Sequence, residues 1–339
     1  MKTRPFRILL FTLTAVTLLF SCKEDKNQNY KPTSIGAVNS LAVVMDSELW
    51  KGKVGDKVRQ HFAATVVGLT WEEPLFSMNQ LPPQVFTGSI RNTRNILYVQ
   101  KDSIDVGHIK TDMYAMPQKV GVIKGRTEDE IIKNIEAKAD EFIAAYKNLE
   151  LDVAQKNFLK SLNKESVLKD KFGITIDLPS IYRIDVQKDN FVWIERQIQK
   201  GTASIIAYQM PRGYFKNDST LIKDIVHMRD SIGEKYIPGT DVPGKVTYMR
   251  TEPAFSPSIF PVEIAGKKAV EVRGIWDIKN YPMAGPFLTY IINDDENDRI
   301  LVLEGFVFAP ATNKRDDMFQ LEAILKTVKF NTSETLAKH

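Results

Sequence analysis

Apolar positions recur along this chain with two periods, and the switches between them outline its elements. Leu41 to Met45 is an unbroken apolar run that predicts a short strand, and Asp46 or Ser47 is placed to cap a helix starting near Glu48. Leu49, Trp50, Val54, Val58 and Phe62 then follow at helical spacing, so one side of residues 48–63 should face a core. Strands are predicted at 73–77, 95–100 and 119–124, with Pro82-Pro83 marking a loop. Thr127 and Glu130 form a capping box ahead of a long apolar stripe: Ile131, Ile135, Ala139, Phe142, Ile143 and Tyr146. A charged, helix-prone stretch, 147–171, leads to a different pattern. Tyr182, Ile184 and Val186 alternate with polar residues, Asp189-Asn190 supplies a turn, and 191–194 returns as a hairpin. Strands are expected at 203–208, 246–250, 269–277, 287–293 and 299–308. Helices carry Leu221, Ile225, Met228 and Ile232, and then Met318, Leu321, Ile324, Leu325 and Val328. The pattern therefore predicts an α+β protein of two domains, antiparallel sheets covered by helices, at 39–165 and 172–331.

Composition and charge narrow the function classes. At 339 residues, 43% hydrophobic and 26% charged, the chain can bury two ordinary cores without metals or disulfides, and it is neither disordered nor collagen-like. The formal charge of +4 is misleading, because Lys2, Arg4 and Arg7 all precede the first acid. Without residues 1–21 the balance is 43 basic against 42 acidic side chains, which argues against nucleic acid as a partner.

Those first residues have the layout of a secretory signal peptide, 1–21: a basic start, then thirteen uncharged residues from Ile8 to Phe20. As a helix that run covers about 20 Å, short of a bilayer core about 30 Å thick. Leu19-Phe20-Ser21-Cys22 follows, with the only cysteine of the chain at its end, and resembles the bacterial lipobox. The resemblance implies that Cys22 receives a diacylglyceryl thioether and further acyl chains such as palmitate, leaving a mature chain with no free thiol. Residues 22–38 then read as lipidated cysteine and polar tether. Lys23-Glu24-Asp25 is similar to the signal that takes Bacteroidota lipoproteins to the outer face of the outer membrane.

Motifs for chemistry are sparse. The chain contains no G-x-S-x-G, H-E-x-x-H, Walker A or G-x-G-x-x-G sequence. Ser161 with Lys164 and Ser166 with Lys169 match S-x-x-K inside the charged stretch, where a lysine stays solvated and a serine is not activated. His61, His108, His227 and His339 lack ligand spacing, so no metal and no cofactor is expected. Asn293, Asp295, Asn297 and Glu304 mimic a calcium loop, but Asp298 occupies the position that needs glycine, and a polar hairpin turn explains the run. Two groups remain as possible ligand or partner contacts. Arg273 and Trp276 precede the loop-like Tyr281 to Phe287, and Arg91 and Arg94 precede an apolar strand. The competing reading of Arg273 is a strand arginine paired with Glu271 or Glu304.

Val43-Val44-Met45-Asp46 with Glu48-Leu49-Trp50, Arg94-Asn95-Ile96-Leu97, Phe191-Val192-Trp193, Gly285-Pro286-Phe287, and Asn313 to Asp316 with Gln320 to Leu325 resemble an uncharacterised Bacteroidota lipoprotein family, a domain of unknown function. The resemblance covers nearly all of the mature chain and implies no activity. In its order of elements the second half also resembles the PsbP-like α/β/α sandwich, which implies a fold and no ligand. The expectation is a lipid-anchored cell-envelope protein that binds or assembles with an envelope protein or glycan. The alternative is an envelope hydrolase of glycan or peptide with an interdomain site.

Overall fold

The computed structural model describes residues 31–331. Cys22 lies outside them, as do the residues expected to form the signal peptide and most of those expected to form the tether. Two large sheets and a two-stranded one carry the fold, so the α+β architecture expected from the pattern is present.

In the first half β1 (Ser40–Val44), β2 (Ser77–Leu81), β3 (Asn95–Lys101), β4 (Val106–Thr111) and β5 (Lys119–Gly125) form one sheet in the order β2-β1-β3-β5-β4. This sheet is mixed, not antiparallel: β2, β1, β3 and β5 run parallel and only the edge strand β4 runs against β5. The cause lies in the connections, since α1 (Ser47–Lys51) and α2 (Lys53–Phe62) make the long crossover that parallel strands need. Asp46 caps α1 by accepting from the Glu48 amide at 2.8 Å, but Gly52 breaks the single helix expected over 48–63.

The capping box works at the start of α3 (Glu128–Phe158), where the Thr127 hydroxyl accepts from the Glu130 amide at 3.2 Å. Helix α3 runs on through the expected interdomain stretch for 31 residues, about 46 Å. Ile131, Ile135, Ala139, Phe142 and Tyr146 enter the core of the first sheet, whereas Leu151 and Phe158 enter that of the second. The Tyr146 hydroxyl donates to the Ile96 carbonyl at 2.7 Å and accepts from the Gly121 amide at 3.1 Å. A Cβ on Gly121 would lie 2.4 Å from that hydroxyl, so glycine is what lets helix and sheet approach.

After α4 (Val167–Phe172) and the short β6 (Ile174–Thr175), the second half builds an antiparallel sheet: β7 (Arg183–Lys188), β8 (Phe191–Ile198), β9 (Gly201–Pro211), β10 (Met249–Thr251), β11 (Ser258–Ile264), β12 (Lys267–Ile278), β13 (Tyr281–Asp294) and β14 (Arg299–Phe308). The order is β10-β12-β13-β14-β9-β8-β7, with β11 also on β12. Helix α5 (Leu221–Tyr236) covers one face, and α6 (Arg315–Leu325), α4 and the end of α3 cover the other, giving helix, sheet, helix. β15 (Lys329–Phe330) closes the described chain against β6.

Several details differ from the expectation. Residues 73–76 form part of a loop, with the strand beginning at Ser77. β4 and β11 carry too many polar residues, and Pro261 in the case of β11, to read as strands; both are edge strands, where those residues are tolerated. The loop expected at 281–286 is the first part of β13, in which Pro286 pairs with Ile275. The turn after Asn293 is a hairpin turn, with Asp298 at φ 49°.

Candidate functional site

A loop of the first half, residues 64–75, reaches across to the second and forms one wall of a crevice. Its ends are tied by the Val66 amide to the Glu73 carbonyl at 2.9 Å and the Leu75 amide to the Ala64 carbonyl at 2.8 Å. Gly68, at φ +83°, lays its backbone on β12, where a Cβ would sit 2.9 Å from the Arg273 Cβ. Leu69 packs on the core under α6. Glu73, 5% exposed, accepts from the amides of Lys314 at 2.7 Å and Arg315 at 3.0 Å, placing a carboxylate at the positive end of α6. The Lys314 ammonium sits 4.2 Å from the Trp71 ring centroid.

Beneath the loop lies a buried ion cluster. Arg273 donates from Nε to Glu271 at 2.6 Å and from Nη2 to Glu322 at 2.7 Å. Lys326 reaches the other Glu322 oxygen at 2.7 Å, and the Tyr290 hydroxyl donates to Glu271 at 3.0 Å. Burial alone would raise the Glu322 pKa, but Arg273, Lys326 and Lys147 outweigh it and hold the carboxyl at about 2. Burial opposes charge on Arg273 too, and Glu322 and Glu271 more than reverse that, raising its pKa. Lys147 is lowered by burial, with Glu322 partly opposing. Glu322 is therefore ionised at neutral pH and has no proton to donate to a leaving group.

Above the cluster a cleft of about 450 Å³ opens between the halves. Gly68, Leu69 and Thr70 form one wall; the other side includes Glu252, Ser256, Ser258, Gly274 and the exposed Phe255. Hydroxyls, one carboxylate and an accessible aromatic face suit a neutral or cationic polar ligand such as a sugar or a peptide segment.

The four contact residues expected from the sequence do not assemble. Arg273 borders the cleft, with its guanidinium committed to Glu271 as one of the two expected partners; the second is Glu322, not Glu304. Trp276 is 1% exposed on the opposite face of the sheet, under α5, because residues three apart on a strand point to opposite sides. Arg94 is buried and makes a bidentate pair with Glu150 of α3 at 2.7 and 3.1 Å, joined by Asn95 at 2.6 Å. Arg91 is exposed but lies over Phe86 and Tyr114, donating to the Phe86 carbonyl at 2.9 Å.

Glu304 belongs to a network whose arginine lies 75 residues away in the chain. It receives Arg229 at 2.7 and 2.9 Å and the Thr289 hydroxyl at 2.8 Å, all fully buried beneath α5. The signal was available, since Arg229 stands four residues after Ile225 on the apolar face of its helix. The S-x-x-K serines are hydrogen-bonded away from their lysines: Ser166 donates to Asp170 at 2.5 Å, and Ser161 shares a hydrogen bond with Ser180 at 2.8 Å. Among the described residues no His, Cys, Asp and Glu group suited to a metal occurs, and no helix is long and apolar enough to cross a membrane.

Fold and cleft together define a two-domain α+β protein with a crevice at the domain junction. Within that class, two families of unknown function cover residues 34–327: 161–327 match the domain of unknown function DUF4837, and 34–159 match the domain of unknown function DUF8532. No curated protein matches. Among solved structures, a crystal structure from Bacteroides thetaiotaomicron VPI-5482 at 1.50 Å resolution is 10% identical over 48% of this chain, with a TM-score of 0.26. This chain spans 46% of that one, and agreement so low carries no conclusion about fold or function.

Proposed function

We propose that the protein is a lipoprotein of the cell envelope, anchored through Cys22, which binds an envelope glycan or polypeptide in the cleft between its two domains. The observation that carries the binding role is the cleft itself, whose lining offers an exposed aromatic and hydroxyls while its one arginine is already neutralised by two carboxylates. The position of Cys22 at the end of an apolar export segment supports the anchor. Several acyl chains on one residue give stable attachment, where one alone is marginal.

Replacing Phe255 with a photo-crosslinking amino acid in cells tests the reading. A discrete adduct that is absent when the same probe stands at exposed Val246 is the expected result. Equal labelling from both positions, or from neither, contradicts it.

A further inference from the structure

The face of the first sheet opposite α2 and α3 is covered by loops alone. Ala42, Val44, Ile96, Tyr98 and Val120 on that face are roofed by Phe86 and Tyr114. The described chain enters on this face: the Ser34 amide donates to the Met116 carbonyl at 3.1 Å, the Met116 amide to Pro32 at 2.9 Å, and the Ile35 amide to Asn92 at 2.9 Å. Large apolar side chains stand exposed around that entry, with Met116 at 59%, Ile35 at 53% and Ile90 at 38%. Ile35 and Ile90 line one groove of about 340 Å³ running over β1 and β2. Met113 and Val85 extend the apolar surface beside Tyr114 and Phe86. Lys31 and Arg91 are exposed at the same place and supply positive charge. Exposed apolar side chains beside cations are what the headgroup region of an anionic bilayer accepts.

Location selects this occupant over a protein partner. Pro32 stands ten residues after Cys22, a reach of at most about 35 Å, so a lipidated Cys22 keeps this face within tether length of a bilayer. Tethering raises the local concentration of bilayer around the patch, and individually weak insertions then suffice. We propose that the loop-covered face around Ile35, Ile90 and Met116 docks on the lipid surface, orienting the interdomain cleft relative to the membrane. The proposal rests on the anchor reading.

Acylation leaves the full-length protein without a free thiol, so Ile90→Cys, Met116→Cys and, as a control, Val246→Cys each provide one labelling site on an exposed residue. The labelled, full-length proteins are reconstituted into phosphatidylethanolamine and phosphatidylglycerol vesicles, with and without a nitroxide-bearing lipid. Docking predicts blue-shifted emission and at least twofold quenching by the nitroxide lipid at positions 90 and 116, with position 246 unchanged. Protein that floats with the vesicles while 90 and 116 remain unquenched overturns docking and leaves the anchor standing. A blue shift without lipid quenching assigns the face to a second copy or another protein and also overturns it. Protein that neither carries acyl chains nor floats overturns the anchor reading, and docking with it.

Discussion

Glu322 holds together the ion cluster beneath the loop at 64–75. Its carboxylate takes hydrogen bonds from Arg273 and Lys326 while almost fully buried, so removing its charge leaves a guanidinium short of one partner in low dielectric. Breaking such a pair costs about 3–5 kcal/mol, and Glu322→Gln should lower unfolding stability by that order in urea titrations. The same group gives a pH dependence with a definite sign. Its pKa is about 2 in the folded protein and near 4.5 when unfolded, so the unfolded chain takes up the proton first. The stabilisation is complete above about pH 4.5 and is lost as the pH falls through 2, a difference of roughly 3 kcal/mol. Wild type should therefore lose stability steeply over that window, and Glu322→Gln should lose less. Arg273 shows how far sequence carries at this scale: pairing with Glu271, two residues along the same strand, was legible, whereas Glu322 lies 49 residues away and is brought there only by α6.

The loop at 64–75 and helix α3 set the arrangement of elements. Gly68→Ala puts a Cβ 2.9 Å from Arg273 in a backbone region that disfavours side chains, and should cost about 1–3 kcal/mol. Glu73→Ala removes both acceptors at the start of α6 and should cost about 1–2 kcal/mol. Either change loosens the loop from β12 and α6, and limited proteolysis should then cut within 64–75 where wild type resists. Helices were readable from their stripes, and so were the central strands. The direction of the first sheet was hidden, although the unbroken apolar runs of β1 and β3 are what buried parallel strands look like. Continuation of α3 into the second core was masked by the charged composition of its last turns, where Leu151, Ala154 and Phe158 pack inward among lysines and acids. The cleft was not legible at all, because its walls come from residues near 68, 255 and 274.

At the scale of the molecule, two cores share one helix and one loop clasp, with a crevice at the junction. That arrangement fits a receptor surface carried at the end of a tether, and it gives the lipid-anchored reading its shape. The excess of cations belongs almost wholly to residues 1–21, which carry Lys2, Arg4 and Arg7. The central claim is the anchor at Cys22, and metabolic labelling with a fatty-acid analogue in wild type and Cys22→Ala tests it most directly. The account predicts label and membrane fractionation in wild type, with both lost in the variant and its export segment left unprocessed. Equal labelling of the two, or a variant processed like wild type, would contradict it.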